Sequence, residues 1–363
     1  MIPIYKPWLD EDDKRSICET FDTGWVSSKG DRILEFERKF SQYVGKRYGT
    51  TTSNGTTALH LALAALGIGS NDEVIVPDFT FVSPINAVIY QNARPALVDA
   101  ERDGWCIDPT LIKKSISERT KAIVAVHIYG NPAKMDEITE IARDNGLYLI
   151  EDCAEAIGST YEGKMVGSFG DVSCFSFYGN KVITTGEGGM CLTDDKELDS
   201  KMKELRDHGM DPSKRFWHNR VGFNYRMTNL QASLGLSQLS KIDRIITAKK
   251  RIAALYGEYL GHNIELHKST EKGESIYWLY SILLKSHEER KKVADFLTES
   301  GIETRPFFYP AHEMPPYASY KFKSGNSSVS TDISRRGLNL PSFPQLTEGD
   351  VSFICEKVNA SLL

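Results

Sequence analysis

Three short stretches of this chain combine residue types that chemistry can use. The first is Thr52-Ser53-Asn54-Gly55-Thr56-Thr57, a small, hydroxyl-rich turn that runs straight into the apolar helical segment ALHLALAAL. Free backbone N–H groups at such a helix start, reinforced by the helix dipole and the threonine hydroxyls, suit a phosphate. Plain N-capping by Ser53 or Asn54 would use the same residues, and His60, one turn in, reads as a core or surface histidine. The second stretch is Glu151-Asp152, which closes the apolar run LYLIED (147–152) ahead of CAEAIGS. Acidic residues at the carboxyl end of a parallel strand lie on the edge where open α/β sheets hold ligands. There Asp152 could keep a pyridine nitrogen protonated, or act only as a capping carboxylate. The third is Ser176-Phe177-Tyr178-Gly179-Asn180-Lys181, between the strand-like DVSCFSF and the glycine-rich VITTGEGG. A lysine just past a buried strand can be desolvated, lose basicity and form a Schiff base, although a lone loop lysine is ordinarily solvated. What singles out these three is their conjunction on one segment, in the order phosphate-type helix start, strand-end Asp, strand-end Lys.

Such residues need a sheet to hold them. From Glu73 to Asp194 the runs EVIVP (73–77), RPALVD (94–99), KAIVAVHIYG (121–130), LYLIED, DVSCFSF (171–177) and GGMCLTD (188–194) alternate with helical segments such as MDEITEIARDNG (135–146). Several runs are apolar on both faces, as strands of a covered, mostly parallel sheet should be, so the pattern predicts an α/β fold. From Thr228 to Gly261 the chain reads as one or two amphipathic helices that connect two domains. YWLYSILL (277–284), the helix HEERKKVADFLTESG and a final helix from Thr347 suit a smaller α+β domain. The expected division is a large domain over 1–235, whose first 20 or so residues could pack with the small one, and a small C-terminal domain over 236–363. The KKR at 249–251 reads as a solvated helix face, and the serine-rich stretch at 324–331 as a loop.

The 363 residues carry 44 Lys plus Arg against 49 Asp plus Glu, a net charge of −5. That mild balance argues against nucleic-acid and anionic-membrane partners and favours small ligands. With no apolar leader at the N-terminus and no window of roughly 18 apolar residues, a soluble, cytoplasmic protein is expected. The six cysteines show no CxxC or CxxH spacing, so neither a metal site nor a disulfide framework is expected, and Cys153 and Cys174 read as small buried hydrophobes.

SNGTTALHLAL, VAVHIYGNPAKMD, LIEDCAEAIGSTYEGKMVGSFGDVSCFSFYGNKVITTGEGGM and NYRMTNLQAS resemble the DegT/DnrJ/EryC1/StrS family of pyridoxal-phosphate sugar aminotransferases. The resemblance runs from the first residues to beyond Pro341 and implies the fold-type I aminotransferase architecture. DTGWVSSKG, FSFYGNK, the WH of FWHNR, ETRPFFYPAHEMPPY and GLNLPSFP are similar to the subgroup that aminates GDP-4-keto-6-deoxymannose to GDP-perosamine for O-antigen and related polysaccharides.

Carried over residue by residue, the resemblance makes Lys181 the Schiff-base lysine and proton shuttle, and Asp152 the partner of the pyridine nitrogen. It assigns the phosphate to Gly55, Thr56 and Ser176, the ring face to Phe81 and the ring hydroxyl to Glu155, where the family often has Gln. Asn224 matches a residue that reaches the phosphate from a neighbouring subunit, which implies a homodimer with shared active sites. The cofactor, pyridoxal 5'-phosphate (PLP), would alternate with its pyridoxamine form (PMP), with glutamate as amine donor. For the nucleotide sugar, Lys29, Arg226 and Arg305 are candidate cations, Trp25 and Trp217 candidate flat partners, and His312 matches a position near the sugar. A dehydrating branch of the family carries His in place of the lysine, and Lys181 argues against it. A transaminase for a UDP- or dTDP-linked 4-keto sugar and a non-catalytic PLP-binding regulator stay open, the former because Lys6 and Trp8 depart from the subgroup pattern.

Overall fold

The computed structural model describes residues 1–261, 264–320, 322 and 328–362. Its centre is a seven-stranded sheet built from β1 (Tyr48–Thr52), β2 (Glu73–Pro77), β3 (Arg94–Val98), β4 (Thr120–Val126), β5 (Tyr148–Asp152), β6 (Val172–Ser176) and β7 (Gly189–Thr193), in the spatial order β1-β7-β6-β5-β4-β2-β3. Strands β2 to β6 pair in parallel, while β7 runs against both β6 and β1. Because β1 is antiparallel to the one reversed strand, it points with the others, and six carboxyl ends share one edge. Every residue of β2, β6 and β7 is buried, as the two-sided apolar runs require.

Alternation along β6 decides what faces where. Phe175 lies on β6 with Phe177 two residues on, so both project to one side, where they meet Phe40 of the helix Asp31–Val44 edge-on at 4.9 and 5.1 Å. Ser176 projects to the other side, toward the start of the helix Gly55–Leu66. That helix buries seven of its side chains, including His60, whose ring nitrogens are engaged by Tyr225 and Gln91.

A second sheet of four short strands, β8 (Glu265–Leu266), β9 (Tyr280–Leu283), β10 (Arg305–Pro306) and β11 (Gly337–Leu340), runs β8-β9-β11-β10 with every pair antiparallel. A separate apolar cluster, including Tyr256, Ile282, Val293, Leu340 and Ile354, joins it to the helices Ile242–Tyr259, His287–Glu299 and Glu348–Ser361. The first residues pack here: the Ile2 amide donates to the Gly301 carbonyl at 2.7 Å, and Ile4 is buried.

Two expectations need correction. Lys249, first of the basic run at 249–251, is only 1% exposed, because helical spacing places it on the stripe of Ile245, Ile252, Ala253 and Tyr256. The serine-rich loop is helical where it is described, since Ser328 opens the helix Ser328–Arg336; residues 324–327 lie outside the described residues. Among the described residues no helix is long and apolar enough to cross a membrane, and all six cysteines are free, with only Cys18 exposed.

The aromatic cluster behind β6 yields a stability prediction. Replacing Phe40, fully buried and in ring contact with Phe36, Tyr43, Phe175 and Phe177, by Ala should cost about 3–5 kcal/mol, read as a lowered midpoint in urea unfolding.

Candidate active site

Outside the carboxyl edge of the sheet lies a cavity of about 620 Å³, closed on the far side by Trp278, Arg305 and Phe308. Gly55, Thr56, Phe81, Asp152, Glu155, Ser176 and Lys181 line it together with Arg305. Eight of the residues singled out from sequence are therefore brought to one place.

Local structure explains each position. Asn54 caps the helix Gly55–Leu66: its Oδ1 accepts from the Thr57 amide at 2.9 Å and its own amide donates to the Thr57 hydroxyl at 3.1 Å. The capping expectation thus holds for Asn54, and it leaves the amides of Gly55 and Thr56 without an intrahelical acceptor. A Cβ on Gly55 would come within 2.8 Å of the Ser176 Cβ, so only glycine lets the helix start close on the end of β6. Likewise a Cβ on Gly189 would meet the Asn54 carbonyl at 2.4 Å, which accounts for the glycines after the lysine loop. Thr56 and Ser83 share a hydroxyl hydrogen bond at 2.8 Å.

Three buried titratable groups face one another. The Lys181 amine stands 3.6 Å from Glu155 Oε1 and 3.8 Å from the centre of the Trp278 ring. Burial lowers the pKa of Lys181, and Arg305 adds to this, against the opposing pull of Glu155 and Asp152. Burial pushes Glu155 up to about 7, even though Lys181 and the Tyr129 amide, donating at 2.8 Å, favour its charged form. Burial also raises Asp152, whose Oδ1 accepts from the Ala154 amide at 3.0 Å. Each group is thus held nearer neutrality than it would be in water. Asn180, also lining the cavity, carries a buried side-chain oxygen with no partner.

The neighbouring cluster of His127, Glu151 and Cys153 has the composition of a metal site but is engaged internally. Glu151 accepts from the amides of Gly167, Phe169 and Gly170 at 2.6–2.8 Å and from His127 at 3.2 Å. Burial disfavours its charge, but these donors outweigh that and keep the carboxyl below its usual value. The Ala133 amide donates to His127 Nδ1, so Nε2 carries the proton given to Glu151.

Six sequence candidates lie away from this cavity in the single chain. Asn224 accepts from the Arg226 guanidinium at 3.0 Å, and Arg226 also holds Asp207 at 2.9 Å. Lys29 borders a separate surface groove with Asp207, Arg215 and Arg220. Trp25 and Trp217 are 61% and 52% exposed, the latter beneath the Lys214 ammonium. His312 is tied to the buried Asp78 at 2.9 Å through Nδ1 and at 3.0 Å through its amide. Of the two unusual N-terminal residues, Lys6 is exposed, and Trp8 packs beneath Arg244 while its carbonyl accepts from Gln238. Sequence reasoning missed Trp278, Phe308 and Tyr129. Their runs carry aromatic residues, but nothing local distinguishes a core ring from a cavity wall.

A family model described as the DegT/DnrJ/EryC1/StrS aminotransferase family matches residues 7–359. The chain belongs to this family. It is 45% identical to the GDP-perosamine synthase of Escherichia coli O157:H7 over 358 residues, covering 99% of this chain and 98% of that protein. It is 44% identical to the GDP-perosamine synthase of Vibrio cholerae, covering 98% and 97%. Spr1654 from Streptococcus pneumoniae, solved in PLP and PMP forms, superposes with a TM-score of 0.94; its PMP form is 27% identical and the match covers 99% of each chain. This DegT/DnrJ/EryC1/StrS member is accordingly a PLP-dependent aminotransferase with the fold-type I architecture expected from its sequence. The cavity fits that cofactor: it offers an amine of lowered basicity, a buried carboxyl for a ring nitrogen, an exposed aromatic face at Phe81 and a helix start that a Cβ at Gly55 would obstruct.

Two predictions follow from this geometry. Gly55→Ala should leave the chain folded but weaken cofactor binding about tenfold or more, measured by PLP titration of tryptophan fluorescence. Capture of PLP by Lys181 needs the neutral amine, so its rate should be half-maximal below pH 10.5, the ordinary lysine value. Glu155→Gln removes a charge that raises the Lys181 pKa and should move that midpoint lower still, followed by absorbance of the Schiff base against pH.

Proposed function

We propose that this chain transfers the amino group of glutamate to C4 of GDP-4-keto-6-deoxymannose, forming GDP-perosamine, in an active site shared across a homodimer. The observation that carries the reaction is the single cavity in which Lys181, Asp152 and Glu155 meet beside the helix start at Gly55. The acceptor rests on identity of 43–45% along the whole chain to GDP-perosamine synthases.

Bound PLP supplies an electrophilic carbon for an amine and a ring that accepts the electron pair left when a C–H bond breaks. The amides of Gly55 and Thr56, with the hydroxyls of Thr56 and Ser176, receive the phosphate at the positive end of the helix dipole. Phe81 would cover a ring face, and Glu155 would hold the ring hydroxyl. Asp152 would ionise against the ring nitrogen and keep the proton there, since a cation alongside would reverse the effect of burial on its carboxyl. Lys181 binds the cofactor as a neutral amine. Once freed by the donor's amine, Lys181 would carry a proton from the glutamate Cα to the cofactor's reacting carbon, and on the return half from that carbon to C4 of the sugar. Glu155, at 3.6 Å, balances the charge while Lys181 carries that proton.

Arg305, inside the cavity, faces the substrate pyrophosphate, and His312 lies on the sugar side. Asn224 of the partner subunit reaches the cofactor phosphate. Lys29, Arg226, Trp25 and Trp217 meet the nucleotide only where a second copy brings its exposed surface to the cavity, and their distance from the cavity of their own chain supports the dimer. We place the large cofactor-binding unit at residues 1–235, the smaller one at 236–363, and the enzyme in the cytoplasm, where nucleotide sugars and glutamate are at hand.

The test is mass spectrometry of the nucleotide sugar after incubation with PLP, glutamate and GDP-4-keto-6-deoxymannose. The expected result is an amino sugar formed in step with 2-oxoglutarate, and none from Lys181→Ala, which should still bind PLP. Turnover of only a UDP- or dTDP-linked sugar would overturn the GDP assignment, and PLP binding without amine exchange would overturn the transaminase reading.

A further inference from the structure

The small unit and the N-terminal segment hold the backbone of the reactive lysine through two successive carbonyls. Trp278 Nε1 donates to the Asn180 carbonyl at 2.6 Å, and the Tyr5 hydroxyl donates to the Lys181 carbonyl at 2.8 Å. The Trp278 ring also lies beneath the Lys181 amine at 3.8 Å. One buried amine sits beside both donors. The Lys249 amine donates to the Trp278 carbonyl at 3.0 Å and to the Ser342 carbonyl at 2.8 Å, and lies 5.4 Å from the centre of the Tyr5 ring. Ser342 closes the arrangement, its hydroxyl donating to the Trp278 carbonyl at 3.2 Å and its amide to the Ile4 carbonyl at 3.3 Å.

No carboxylate is among the groups that shift Lys249, and burial lowers its pKa to about 7. An aliphatic residue at this apolar position would avoid the cost of desolvating an ammonium. What the amine adds is a pair of hydrogen bonds, beside the Tyr5 ring, that ties three segments distant in sequence to one point.

We propose that Lys249 is a positioning residue: through Trp278 and Tyr5 it fixes the backbone of Asn180 and Lys181, and so the place at which Lys181 presents its amine. This rests on Lys181 being the Schiff-base lysine. The step from Lys249 to Lys181 runs entirely through contacts outside the cofactor, so it can be read without turnover.

The experiment compares the full-length chain with Lys249→Met and Tyr5→Phe, all without cofactor, by two measurements. Amide hydrogen exchange of the segment 177–186 reports the clamp on the loop, and pH-dependent acylation of Lys181, quantified by peptide mass spectrometry, reports its environment. Lys249→Met should speed exchange in 177–186 by about tenfold, with a smaller rise for Tyr5→Phe. Loosening the wall admits water and relieves the desolvation that most lowers Lys181, so the acylation midpoint should move to higher pH in both variants. Faster exchange confined to 242–259 and 337–343, with 177–186 and Lys181 unchanged, would mean that Lys249 only supports the small unit and would overturn the proposal. If Lys249→Met does not fold, Tyr5→Phe decides: an unaltered loop overturns the clamp. Failure of the Schiff-base reading shows separately, as inability of the unaltered chain to capture PLP on Lys181.

Discussion

The structure turns on keeping one lysine amine out of water beside two carboxyls. An isolated charge moved from water into a protein interior costs several kcal/mol even after relaxation, so the chain must arrange groups whose charges answer one another. Lys181, Asp152 and Glu155 do this within one cavity: burial displaces each toward its neutral form, Lys181 draws both carboxyls back toward their charged forms, and the two carboxylates do the same for Lys181. The sheet alone could not produce that balance. The strand ends supply the groups, and Trp278 and Phe308 add aromatic surface to the cavity wall.

Sheet topology follows from the same demand. Five parallel strands deliver Asp152 and Ser176 to one edge, and β7, running against its neighbours, returns the chain from the lysine loop beside β1. The helix that follows β1 therefore begins within van der Waals reach of Ser176, and the glycines at 55 and 189 permit the approach. The phosphate-type helix start and the lysine, far apart in sequence, become neighbours because one strand is reversed.

Much of this was legible in the sequence, and the parts that were not share a cause. Asp152 and Lys181 end or follow apolar β-branched runs, a local signal that survives without knowledge of the partner strands. Lys249 was misread because a run of three basic residues looks solvated until helical phase sets its first member on the stripe of Ile245 and Ile252. Trp278 and Tyr5 act across more than 95 and 170 residues of chain, through contacts that no window of sequence contains. Asn224, Arg226 and Lys29 lie in stretches that resemble family motifs, yet in the single chain they sit away from the cavity, a separation no local pattern announces.

Tyr129 shows how backbone strain, packing and electrostatics meet at the site. It takes a left-handed conformation at φ 51°, which for a residue with a side chain costs about 1–3 kcal/mol. That conformation accompanies an amide aimed at Glu155 Oε2, favouring the charged carboxylate against its burial. The offset comes from the other end of the residue: the ring is fully buried against Phe307 and Phe308 at 5.0 and 5.2 Å, and its hydroxyl accepts from the Phe308 amide at 3.0 Å. Burying an aromatic side chain contributes about 1.5–3 kcal/mol, enough to hold the strained backbone. The donor that tunes Glu155 thus lies in the turn that follows β4, while the packing that holds it there comes from the segment following β10. The packing that holds Tyr129 in its left-handed conformation and the donor that favours charge on Glu155 are therefore two ends of one residue.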